Sequence, residues 1–233
     1  MDITIFKDIK QTARPFYRNI NLILTRIQEG ASKDIVKKIR AEKDKENRNI
    51  LKQKLPAICF SGQFTKRADN AIKEHSGYIC LDFDGYKSNR DLLQEKERLS
   101  KDKFVYSVFI SPSGNGLKVL VKIPPIVDDH KSYFLSLQKY YDSEYFDKTC
   151  KNISRVCYES YDPLIHVNAH SSLWDKIEEQ EYVEVSKHND IPTIPVTDEN
   201  KIIDILIKWW TKKYPMNEGE RNNNAYVLAA AFN

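Results

Sequence analysis

Two β-rich runs, Phe104–Ser111 and Leu117–Ile123, are joined by Pro112-Ser113-Gly114-Asn115-Gly116, and this short joint constrains the fold more than any other segment. A tight connection rich in glycine reverses the chain as a hairpin-like loop, so the sheet that holds both runs is mixed or antiparallel and not fully parallel. Three more runs, Ala57–Ser61, Tyr78–Phe83 and Val156–Tyr161, read as strands of the same kind. Two helical patterns fall between them. One is capped by Ser88 with Leu92, Leu93 and Leu99 inward, and the other runs from about Asp129 with Tyr133, Phe134, Leu137, Tyr140 and Tyr141 inward. The expected class is α+β.

Ahead of the strands, Ile20, Ile23, Leu24 and Ile27 repeat with helical spacing and stop at Gly30, a residue suited to a left-handed C-cap. A second helix is expected from Ser32, with Ile35, Val36 and Ile39 apolar and the polar stretch Glu42–Asn49 carrying its far end into solvent. Residues 31–54 hold nine Lys/Arg against four acids, whereas the whole chain is only +4, so one helical face is strongly positive. At 233 residues and roughly 150 per domain, the chain allows one large domain with a small appendage. We divide it into a domain over 1–183, whose first 54 residues are helical, a linker over 184–197 marked by Pro192 and Pro195, and a helical region over 198–233. That region carries Ile202, Ile203, Leu206, Trp209 and Trp210 on one face. Because the sequence stops inside the apolar run AYVLAAAF, we expect it to be the N-terminal part of a longer protein.

With 41% hydrophobic and 30% charged residues, the composition excludes wholesale disorder. No apolar run approaches the roughly 18 to 20 residues that span a bilayer. The start MDITIFKDIK lacks the basic and then apolar pattern of a leader, so a soluble, intracellular chain is expected. Four scattered cysteines, Cys59, Cys80, Cys150 and Cys157, do not make a disulfide framework in a chain of this length, and reduced thiols are expected.

Three strings carry chemistry. The first is Tyr78-Ile79-Cys80-Leu81-Asp82-Phe83-Asp84-Gly85, an apolar strand ending in two carboxylates two residues apart. Strand period puts both on one face, and a cation between them is the simplest way to keep both ionised. Hard oxygen donors suit Mg²⁺ or Mn²⁺, although solvated acids at a strand end would give the same string. The second is Ser111-Pro112-Ser113-Gly114-Asn115-Gly116-Leu117-Lys118. Backbone N–H groups freed by glycine, the hydroxyls of Ser111 and Ser113, and the Lys118 charge form a candidate triphosphate cradle, or an ordinary turn. The third pairs Asp147, after Phe146, with Arg155, after Ser154. They offer a third metal ligand and a phosphate clamp, or a plain surface ion pair. Cys150, Cys157, His166 and His170 have the types of a zinc site, but the six residues between the cysteines exceed the usual knuckle. His75, His130 and His188 show no partner pattern.

Taken in order, these three strings resemble the archaeo-eukaryotic primase superfamily, the primase-polymerases. The closer likeness is to the N-terminal primase-polymerase-like domain that precedes VirE-type or helicase modules in phage and mobile-element replication proteins. Leu55-Pro56-Ala57, Ser61-Gly62-Gln63-Phe64, His75-Ser76-Gly77 and Ser160-Tyr161-Asp162-Pro163 belong to the same likeness. The resemblance implies an RRM-like core and a DNA primase or polymerase. Asp82, Asp84 and Asp147 would be catalytic acids that hold two Mg²⁺ or Mn²⁺ ions. Ser111, Ser113, Gly114, Asn115, Gly116, Lys118 and Arg155 would bind the nucleotide. Where the family commonly has Ser-x-His, this chain has Lys118, which can hold a phosphate but cannot act as a neutral imidazole. The implied partners are a single-stranded DNA template, NTPs or dNTPs, and a helicase module in the missing C-terminal part or in trans, with no membrane involved. The implied setting is the cytoplasm of a bacterial cell or an infected host. The basic helix, through Lys37, Lys38, Arg40, Lys45 and Arg48, would track template phosphates.

Two other readings stand beside this one. Leu81-Asp82-Phe83-Asp84-Gly85 also resembles the nucleophile loop of haloacid-dehalogenase-like phosphatases, although Tyr86 replaces the usual Thr or Val. A non-catalytic module that binds origin DNA on the same fold would keep the basic face without the transferase.

Overall fold

The computed structural model describes residues 1–177 and positions 204, 207, 208, 210 and 211. The chain divides into two units, Met1–Glu179 and Gln180–Asn233. In the second, the five described positions are helical and Trp210 is buried. The linker expected over 184–197 lies outside the described residues, as does most of the helical region expected after it.

The first unit opens with β1 (Asp2–Phe6) and β2 (Phe16–Asn19), an antiparallel pair where the first 54 residues were expected to be helical, then α1 (Ile20–Glu29), α2 (Lys33–Ala41) and α3 (Lys45–Lys52). It continues through β3 (Ala57–Cys59), β4 (Gly62–Phe64), β5 (Ile72–His75), β6 (Tyr78–Asp84), α4 (Asn89–Ser100), β7 (Val105–Ile110) and β8 (Gly116–Lys122). It closes with α5 (His130–Tyr141), β9 (Cys157–Tyr158) and β10 (His166–Val167). The architecture is α+β, and every strand pairing is antiparallel. One sheet has the order β2-β1-β3-β9, a second β10-β7-β8-β6, and β4 with β5 forms a separate hairpin.

The joint between β7 and β8 is the reversal expected, with Gly114 at φ 80°. Gly30 caps α1 in the left-handed region, where its N–H donates to the Arg26 carbonyl. The basic stretch differs from the single helix foreseen. Glu42 takes extended backbone dihedrals and ends α2, and Asp44 accepts from the Asn47 N–H at 2.8 Å to start α3. An N-cap acid in mid-segment therefore splits one helix into two. Leu93 and Tyr140, expected inward, are 45% exposed, because Leu92 with Leu99, and Tyr133, Phe134, Leu137 and Tyr141, already fill the buried stripes of α4 and α5.

The β10-β7-β8-β6 sheet is covered on both faces. Ile79, Leu81 and Phe83 of β6 share one core with Leu117, Val119 and Val121 of β8 and the buried residues of α4 and α5. Tyr106, Phe109 and Leu120 face the other way, into a core with α1, Ile3 and Ile58. Strand period two therefore sends Asp82 and Asp84 away from α4 and α5, toward the side that carries the other sheet.

Candidate functional site

Asp82 and Asp84 occupy the last turns of the β6 pleat on the face opposite Phe83, as the alternation demands. In the β6–β8 register Asp82 stands directly opposite Lys118, and Asp84 opposite Gly116. The Lys118 ammonium forms an ion pair with Asp82 Oδ2, and both side chains are largely buried, at 13% and 15% exposure. Burial alone would pull this ammonium down, but Asp82 and Asp84 outweigh it and hold Lys118 well above the usual lysine range. Desolvation and the neighbouring Asp82 charge raise the Asp84 carboxyl, against the pull of Lys118.

The third acid arrives from a segment that adds to the free edge of β6. The Asp84 N–H donates to the Tyr145 carbonyl and the Asp147 N–H to the Asp82 carbonyl, both at 2.8 Å, with Phe146 bridged to Phe83. The two phenyl rings meet edge-on at 5.2 Å inside the core, so period two turns Asp147 onto the face of Asp82. Thr149 donates twice to Asp147 Oδ1, the Cys150 thiol donates to Oδ2 at 2.9 Å, and Arg155 stands 3.6 Å from Oδ2. Burial raises the Asp147 carboxyl, but these hydrogen bonds and the Arg155 charge prevail and lower it. Burial and the bond to Asp147 push the Cys150 thiol up to about 12.

One ligand atom each from Asp82, Asp147 and Cys150 lies within 4.8 Å of the others, a group that could hold a metal ion. The fit is supported by Asp82 Oδ1, which is buried and has no hydrogen-bond partner. A buried carboxylate oxygen left without a partner, beside a second carboxylate, suits a divalent cation. Asp84 lies outside this group of three. Of the residues considered for zinc, only Cys150 is in this group: Cys157 lies against Cys80, and His166 sits on β10 beside Val108.

A cleft of about 550 Å³ opens over these acids, lined by Asp82, Asp84, Lys118 and Arg155, and also by Lys52, Arg67, Asn152, Ser154 and Tyr158. Lys52 ends α3. Desolvation, and then the nearby Arg48, lower its ammonium. Arg67 is fixed by a bond from its Nη1 to the Ile9 carbonyl at 3.2 Å. Neither Lys52 nor Arg67 was distinguishable in the sequence from a dozen other surface cations. The topology brings them in, and the only hint, for Lys52 alone, was the general basicity of residues 31–54.

The Ser111–Asn115 loop is not part of the cleft lining. Its Ser111 and Gly114 N–H groups close the turn onto the Gly116 and Ser111 carbonyls, and Gly114 packs on the Arg40 side chain. Arg40 itself donates to the Ser111 and Tyr161 carbonyls at 3.2 and 2.8 Å, so it anchors backbone. Lys37, Lys38 and Lys45 are exposed and Arg48 half-buried. Gly116 has a steric task, because a Cβ there would collide with the Asp84 carboxylate and stand 2.8 Å from the Phe83 carbonyl. Gly116→Ala should destabilise the chain by about 1–3 kcal/mol, measured by denaturant unfolding. Part of that loss should disappear in the Gly116→Ala/Asp84→Ala double variant, and strict additivity would show that Asp84 is not what Gly116 accommodates.

A family model described as BT4734-like, N-terminal domain, matches residues 50–166, just over half of the chain and every cleft-lining residue except Ile9. No curated protein and no solved structure matches the chain.

Proposed function

This chain belongs to the family of BT4734-like N-terminal domains, and from the cleft that the matched segment builds we propose that it is a template-directed nucleotidyltransferase, a DNA primase or polymerase. The observation that carries this reading is the pairing of opposite charges in one cleft. Asp82 and Asp84, with Asp147 beside Asp82, face a space that Lys52, Arg67 and Arg155 share. Carboxylates that hold a divalent ion next to cations that hold phosphate oxygens are what phosphoryl chemistry needs from a protein.

On this reading the β10-β7-β8-β6 sheet with α4 and α5 is the RRM-like core of a primase-polymerase. Asp82 and Asp147 hold Mg²⁺ or Mn²⁺, which supplies Lewis acidity toward the phosphate when bound. Lys52, Arg67 and Arg155 neutralise the triphosphate and orient its α-phosphorus. A primer 3′-hydroxyl oxygen forms the new bond to that phosphorus, the bond to pyrophosphate breaks, and the hydroxyl proton leaves to solvent. The exposed Lys37, Lys38 and Lys45 contact phosphates of a single-stranded DNA template, so binding weakens steeply with salt. No helix among the described residues is long and apolar enough to cross a membrane. The reading places the work on DNA in the cytoplasm of a bacterial cell or an infected host. Replication of a phage or mobile element, with a helicase module elsewhere in the protein or in trans, completes the reading.

The phosphatase alternative requires alternating parallel strands and helices, whereas β6 pairs antiparallel with β8. The test is incorporation of labelled NTPs and dNTPs on single-stranded DNA, with and without a primer, in Mg²⁺ and in Mn²⁺. Product is expected from the unaltered chain and a loss of at least about a thousandfold from Asp82→Ala/Asp84→Ala. A folded protein that binds DNA and makes no product under any condition would replace the transferase with a non-catalytic DNA-binding module.

A further inference from the structure

The resemblance implies two metal ions, yet the acids of this cleft already share a fixed cation. Lys118 lies directly across from Asp82 in the β-ladder, its ammonium is bound to Asp82 Oδ2, and its side chain is 13% exposed. Register rather than a flexible surface contact puts it there, because strand pairing fixes which side chains stand opposite one another. The neighbouring cross-strand pair is Asp84 with Gly116, where the missing side chain leaves room for the Asp84 carboxylate beside the ladder. An ion bridging these two carboxylates through Asp82 Oδ2 would therefore compete with the ammonium already bound there. The other Asp82 oxygen, Oδ1, is buried and unpartnered. It belongs to the residue that groups with Asp147 and Cys150, while Asp84 is not in that group.

The two oxygens of Asp82 thus have different surroundings, one already bound to an ammonium and one buried without a partner. We propose that Lys118 is a built-in substitute for the second metal ion, so that the protein's own residues bind a single divalent cation, on Asp82 and Asp147. A second divalent ion between Asp82 and Asp84 would have to expel a buried ammonium or sit against it, and like charges at that distance repel strongly. This rests on the metal-dependent reading of the cleft and changes its stoichiometry. Lys118 is a positioning residue here: it holds Asp82 and sets the charge of the site without being a metal ligand.

The experiment counts Mn²⁺ bound by the whole chain in the absence of nucleotide, from the electron paramagnetic resonance signal of free Mn²⁺ during a titration. The unaltered chain is expected to bind one Mn²⁺, and Lys118→Met to bind two. Adding Asp84→Asn to Lys118→Met should return the count to one. Lys118→Arg, which keeps the charge, should stay at one and serves if Lys118→Met fails to fold. Two ions on the unaltered chain, one ion still on a folded Lys118→Met, or two on Lys118→Arg would each overturn the proposal. Nucleotide incorporation measured on the same samples separates the two levels. Two ions together with incorporation would leave the transferase reading standing without this inference, whereas no bound Mn²⁺ and no incorporation would remove both.

Discussion

Lys96→Met should cost about 3–5 kcal/mol of folding stability, read from the denaturant midpoint at pH 7. Lys96 sits on α4 with its side chain 9% exposed, and its ammonium meets Asp162 Oδ2 at 2.6 Å, where Asp162 is 3% exposed. It also donates to the Leu164 carbonyl at 2.7 Å. Asp162 in turn accepts from the Ile110 N–H at 2.9 Å and the Leu164 N–H at 3.0 Å. Removing the cation leaves a desolvated carboxylate with amide donors and only the Arg40 guanidinium as a remaining countercharge, a costly way to break such a pair. The effect should reach the cleft, because Ile110 ends β7 and the chain then turns through the Ser111–Asn115 loop into Gly116 and Lys118. Asp162→Asn alone would strand the ammonium. The double variant Lys96→Met/Asp162→Asn should therefore be less destabilised than the sum of the two single changes. A Lys96→Met penalty below about 1 kcal/mol would mean that the pair behaves as a solvated surface bridge.

This pair also shows what the sequence could and could not disclose. Strands and helices with strong internal periodicity were legible: four of the β-rich runs, the Ser88 cap and the Gly30 terminus stand where patterning put them, because each is decided by local residues, whereas Val156–Tyr161 forms a strand only at Cys157 and Tyr158. Asp82 and Asp84 were legible for the same reason, being set on one face by strand period alone. Lys96 was invisible, since a lysine among Glu95, Glu97 and Arg98 looks like any residue of a charged helix face, and only a loop some 66 positions away buries it. The short strands were equally silent. The β10 pairing involves two residues, His166 and Val167, set by their neighbour β7 and not by their own pattern. β1, with Ile3 and Phe6 buried in different cores, lacks the even alternation that would have announced it.

In the site, what the sequence could not show was which cations converge. Lys118 was visible as the end of a Gly-rich motif and was assigned to phosphate. The β6–β8 register turns it onto Asp82 instead, and no string of letters states a register. Lys52 and Arg67 come from α3 and from the segment after β4, so their place in the cleft depends on how two sheets and a helix pack. Asp147 was read as an acid near an arginine. Its position beside Asp82 follows from the Phe83–Phe146 bridge, a long-range pairing that apolar burial selects.

Acidification from pH 7.5 to 5.5 should cost the fold nearly 3 kcal/mol through one buried pair of histidines that showed no partner pattern in the sequence. His75, on β5, and His130, at the start of α5, are each 4% exposed, with His75 Nε2 and His130 Nδ1 3.0 Å apart. The tautomers follow from the neighbours. The Gly77 N–H donates to His75 Nδ1 at 2.9 Å, so the His75 proton is on Nε2 and is given to His130 Nδ1, which must be bare. Both rings are neutral in this arrangement, and a second proton on either one breaks it. Burial lowers His75 to about 4. Burial and the His75 ring lower His130 to about 3, against a small opposing pull from Asp69. Folded values below the unfolded 6.5 mean that the unfolded chain takes up protons first, so this stability is complete above pH 6.5 and declines as pH falls toward 4. Linkage gives about 1.4 kcal/mol for each histidine between pH 7.5 and 5.5. His166 is also lowered and adds a loss of the same sign, so the pair is isolated by difference. His75→Gln and His130→Gln should each lose about 1.4 kcal/mol less than the unaltered chain over this range, whatever their stability at pH 7.5. Equal slopes in all three proteins would show that the pair carries no proton linkage, and that its two rings are held apart from water by packing alone.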